Sequence, residues 1–92
     1  MENFIDIGCG VSIAFAEYQG QVVGLHERHP NRKDPSQPCC GFVWFDVETE
    51  SRCTGTPVWK VECMDPLTLS PSILCRGCGN HGYIRQGRWV PA

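Results

Sequence analysis

The chain has 92 residues, a formal net charge of −2 and seven cysteines. That length fits a single domain over residues 1–92 with little core to spare, so a metal, a disulfide or a partner subunit is expected to help hold it. The acidic balance argues against broad phosphate contact by the whole molecule, and no apolar run approaches bilayer length.

Val11, Ile13 and Phe15 alternate with Ser12, Ala14 and Ala16, the period of a half-buried strand. Tyr18-Gln19-Gly20 offers a turn, and Gln21 to Leu25 a returning strand. From His26 to Pro38 the composition shifts to His, Arg, Lys, Asn, Asp and Pro, which predicts an exposed loop. Gly41 to Val47 is β-branched and aromatic and predicts a buried strand. Thr49 to Pro57 is polar and turn-rich, and Val58 to Cys63 alternates again. Pro66 and Pro71 exclude a regular helix between Met64 and Leu74. The pattern predicts a rigid bend at Thr68–Ser72 and a terminal hairpin from Tyr83 to Val90, turning at Gln86-Gly87. No stretch repeats apolar residues at helical spacing. The expected fold is mostly β, built from hairpins, with at most one short helix.

An odd number of cysteines argues against a closed disulfide set. With no cationic start followed by an apolar run, a secretory signal is not expected, and reduced thiols in a cytoplasm are the natural reading. In that setting cysteines point to metal or to catalysis.

Cys75-Arg-Gly-Cys78-Gly-Asn-His81 carries the strongest chemical signal. Two cysteines separated by two residues, with glycine after the second, match a zinc knuckle, in which backbone N–H groups point at the thiolates. Gly79 suits the left-handed backbone such a turn often needs. Thiolates and imidazole are the donors Zn2+ prefers, so Cys75, Cys78 and His81 are the expected ligands. Cys40, between Cys39 and Gly41, is the favoured fourth; Cys39, His26, His29 and Cys63 are alternatives. A redox role for the Cys pair would call for a βαβ pattern that is absent.

Asp65-Pro-Leu-Thr-Leu-Ser-Pro-Ser-Ile73, the Cys75/Cys78/His81 cluster and Gly82-Tyr-Ile-Arg-Gln-Gly-Arg-Trp-Val90 follow one another directly. Together they resemble a family of small phage and bacterial proteins catalogued as a domain of unknown function and common in phages of actinobacteria. Leu25-His-Glu-Arg-His29 and Cys40-Gly-Phe-Val-Trp-Phe-Asp46 resemble its upstream half, so the likeness spans roughly residues 22–92. The resemblance implies a phage or prophage accessory protein and supports Cys40, His26 and the C-terminal cluster as metal ligands. It also implies a link to ubiquitin-like conjugation genes, where distant relatives are suspected peptidases. Those relatives carry an adjacent Cys-His pair after the Ser-Pro-Ser segment, which this chain replaces with the knuckle and a separate His81.

Three functions fit these residues. The first is a zinc-stabilised domain that binds a host or phage protein, with Trp89 or Tyr83 as an anchor unless Trp89 belongs to the core. The second is a zinc hydrolase with Glu27 as general base and Ser70 or Ser72 on the substrate, although no H-E-x-x-H is present. The third is nucleic-acid binding through Arg76, Arg85 and Arg88. The thiolate-rich knuckle favours the first, with no catalytic residue assigned and no membrane partner.

Overall fold

The computed structural model describes residues 3–92 and contains nine strands and no helix among them. The strands are β1 (Ile5–Gly8), β2 (Val11–Tyr18), β3 (Gln21–Pro30), β4 (Pro38–Trp44), β5 (Lys60–Met64), β6 (Leu67–Ser70), β7 (Ile73–Leu74), β8 (His81–Arg85) and β9 (Arg88–Pro91). They form three antiparallel sheets in the orders β1-β2-β3-β4, β5-β6 and β7-β8-β9. The mostly-β, hairpin-built expectation therefore holds.

Two-residue turns explain the local pairing. Gln19 and Gly20 between β2 and β3, and Gln86 and Gly87 between β8 and β9, all have positive φ. Two successive left-handed residues give the turn whose twist matches that of the flanking strands, which is why glycine takes the second place.

The sheets meet over Ile7, Val11, Ile13, Leu25, Val43, Phe45, Leu67, Leu69, Ile73, Ile84 and Trp89. Leu25 and Ile84 are fully buried, each removing a side chain from water at a gain of about 1.5–3 kcal/mol. Trp89 is a core residue rather than a surface anchor, and Gly82 makes its place. A Cβ on Gly82 would stand 2.5 Å from the indole ring.

The structure corrects two expected boundaries. β3 runs on through His26 to Pro30, so the exposed connection is only residues 31–37. The inward positions of this extension are Glu27 and His29, both buried, and polar side chains at inward positions conceal a strand from a search for apolar alternation. Thr68 and Leu69 lie in β6, with Leu69 buried, and the chain bends only beyond Ser70, at the cis peptide to Pro71. No helix among the described residues is long and apolar enough to cross a membrane.

Candidate metal centre

His29, Cys39, Cys75 and Cys78 each direct one ligand atom into a common space, and those atoms lie within 4.8 Å of one another. His29 Nε2 is 3.3 Å from Cys78 Sγ, and Cys39 Sγ is 3.5 Å from Cys75 Sγ. A tetrahedral zinc with Zn–S of ~2.3 Å and Zn–N of ~2.0 Å has ligand–ligand edges of roughly 3.5–3.8 Å. The cluster thus has the chemistry and nearly the dimensions of a three-thiolate, one-imidazole metal site.

Register builds half of it. His29 on β3 stands directly opposite Cys39 on β4, so both side chains share the face that packs toward the β7-β8-β9 sheet. The turn after β7 builds the other half. Cys75 N–H donates to Asn80 O and Gly79 N–H to Cys75 O, folding the Cys75–Cys78 segment back on itself, with Gly79 at φ 84°. The knuckle and its left-handed glycine are as the sequence leads one to expect.

Electrostatics favour a thiolate at Cys78. The Arg32 backbone N–H contributes most, against the opposing effect of burial, with further help from Asn80 N–H, His29 and Cys75, and the pKa falls to about 6. Cys39 behaves oppositely. Its hydrogen bond with Cys75 keeps the proton in place, burial and the neighbouring thiols add to this, and its pKa rises to about 11. Three clustered thiols cannot all ionise unless a cation joins them.

Glu27 stands behind the histidine. Its carboxylate Oε1 hydrogen-bonds His29 Nδ1, leaving Nε2 to face the sulfurs. Burial raises the Glu27 pKa, and the bond to His29 opposes that rise. For His29 burial works against the charged ring, but the Glu27 bond, with Cys78 and Cys75, outweighs it and raises the pKa. A carboxylate on the far nitrogen of a ligating histidine fixes its tautomer and ring orientation, an arrangement that recurs in zinc proteins.

The expected ligands divide. Cys75 and Cys78 enter the cluster; Cys40 and His81 do not. Adjacent strand residues point to opposite faces, so Cys39 turning inward sends Cys40 outward, where it is exposed. The His81 ring lies 2.8 Å from Ser72 Oγ through Nε2 and is thereby engaged away from the sulfurs. His26 sits edge-on to Phe42, and Cys63 is exposed on β5. The other two members of the cluster are His29 and Cys39, which the sequence offered only as alternatives to Cys40. The signal that could have found His29 is the alternation Leu25, Glu27, His29, which continues the inward face of β3.

A cleft of about 310 Å³ opens beside the cluster, lined among others by Glu27, Gly41, Trp59, Leu74, Arg76 and Trp89. Comparison with protein-family models, curated proteins and solved structures finds no match to this chain.

Proposed function

We propose that this chain is a zinc-stabilised interaction domain that works by binding a protein partner. The observation carrying the reading is the convergence of His29 and Cys39 from the β3–β4 hairpin with Cys75 and Cys78 from the turn after β7 into one space. Three thiolates and an imidazole select zinc over the hard cations, and four protein donors complete its tetrahedron. A filled tetrahedron leaves no position for a water nucleophile, which favours a structural role over a hydrolytic one. Glu27 supports this: its Oε1 is engaged by His29, so the carboxylate acts as a positioning group for the histidine.

The resemblance of the last thirty residues to small phage and bacterial proteins makes a host or phage protein the proposed partner class. The acidic net charge favours protein over nucleic acid. In such a small domain metal binding is part of the folding energy. Elemental analysis of purified protein, with unfolding followed during chelation, tests the reading. One zinc per chain and loss of structure on chelation are expected. A metal-free chain with the same fold, or zinc-dependent turnover of a peptide, ubiquitin-like fusion or nucleic acid, overturns it.

A further inference from the structure

β4 and β7 are the last strands of their sheets, and both border the cleft beside the metal cluster. Phe45 N–H donates to Val23 O on the β3 side, whereas Trp44 O accepts from Trp59 N–H on the opposite side. Backbone groups alternate direction along a strand, so those of Cys40 and Phe42 share the outward direction of Trp44. Among the described residues no strand pairs with them there. Across the cleft, Cys75 N–H turns inward to Asn80 O, which leaves the neighbouring Leu74 facing out, 52% exposed. Trp59 closes one end, joining β4 through its backbone and reaching Ser72 O with its indole N–H at 3.1 Å. The Cys39–Cys75 pair closes the other.

The floor and walls are apolar, from Val43, Ile73, Leu74, Trp59 and Trp89, with charge concentrated at the metal end. There Glu27 lines the cleft, and the absence of a side chain on Gly41 leaves space in front of its Oε2, which a Cβ would approach to 3.3 Å. Three thiolates around a dication leave a net charge of about −1, and Glu27 adds to it. Arg76 is the single cationic side chain in the lining.

We propose that this cleft is a peptide-docking groove: an extended segment adds to the open edge of β4 at Cys40 and Phe42 and places a lysine or arginine side chain toward Glu27. The proposal rests on the interaction-domain reading and supplies its ligand class. Open backbone donors and acceptors in a short channel match an extended main chain, which gains affinity from edge pairing and selectivity from side-chain pockets. A cleft of about 310 Å³ holds a few residues, so a short segment or a chain end is the occupant. The charge at the metal end selects a cation.

Selection from a random hexapeptide library against the zinc-loaded protein tests this. Peptides that alternate apolar residues around a fixed lysine or arginine should be enriched. N-methylation of the amide that pairs with β4 should weaken the best of them by about tenfold, since it removes a main-chain hydrogen bond and adds bulk at the edge. Leu74→Lys, a change at an exposed position, should weaken the same peptide about fivefold by repulsion at the mouth. Gly41→Val should abolish binding. Zinc content is measured for every variant, so a metal-free protein counts against the metal reading and not against the groove. A zinc-loaded protein that enriches no sequence, prefers acidic peptides, or binds equally well after N-methylation and Leu74→Lys overturns the proposal.

Discussion

His29 and Cys39 face each other across the β3–β4 ladder, and that one register pair brings half of the candidate metal centre together. The remaining two donors arrive from the turn after β7, so the centre ties two sheets to each other. A single metal ion placed there links segments far apart in sequence, which is where a short chain gains most from a cross-link.

Substitution separates the ligands from their neighbours. His29→Ala, Cys39→Ser, Cys75→Ser and Cys78→Ser should each lose zinc, measured by plasma mass spectrometry, and lose the cooperative thermal transition. Cys40→Ser and His81→Ala should keep one zinc per chain, because Cys40 faces outward and His81 is engaged with Ser72. Zinc loss in Cys40→Ser with retention in Cys39→Ser would reverse the inferred facing of β4.

Glu27→Gln should leave the fold and the ligand set intact while loosening the metal. Gln can still accept from His29 Nδ1 but no longer offers a charge, so zinc affinity should fall by about 10–100-fold. Competition with a chromophoric chelator reads the change. An unaltered affinity would mean that Glu27 does not orient the histidine.

Zinc uptake should release protons and weaken in acid. Cys39, pushed up to about 11, carries its proton at neutral pH and must give it up to the metal. Cys78, lowered to about 6, is mostly ionised at pH 7.5 and binds a proton only as the pH falls through that value. Affinity should therefore climb with pH across the neutral range and drop more steeply below pH 6, with about one proton or more released per zinc at pH 7.5. Calorimetry in buffers of different ionisation enthalpy gives the count. A pH-independent affinity would contradict thiolate ligation.

Gly82→Ala should destabilise the core without touching the metal. The added Cβ would lie 2.5 Å from the Trp89 ring and 2.8 Å from Val90 O. Relieving that overlap should cost about 1–3 kcal/mol, seen as a lower midpoint in urea at an unchanged zinc content. A midpoint equal to that of the parent chain would show that β8 and β9 shift apart freely.

The sequence by itself determined the strands whose inward residues are apolar, the two-residue turns at Gln19-Gly20 and Gln86-Gly87, and the pairing of Cys75 with Cys78. These are local: alternation, positive φ at glycine and a short turn around two thiolates are all written within a few residues. Tertiary structure decided the partners of that pair. Cys39 and Cys40 are adjacent and chemically identical, and only the β3–β4 register selects the one that turns inward. His29 lies in a polar stretch that reads as a loop, because a strand that lines a metal centre puts Glu and His where a core strand puts Val and Leu. His81, nearest in sequence to the knuckle, is drawn away by Ser72 across the bend at Pro71. Which side chains gather at the candidate metal centre depended on the face each strand presented once the sheets had packed, and that is set by contacts between residues distant in the chain.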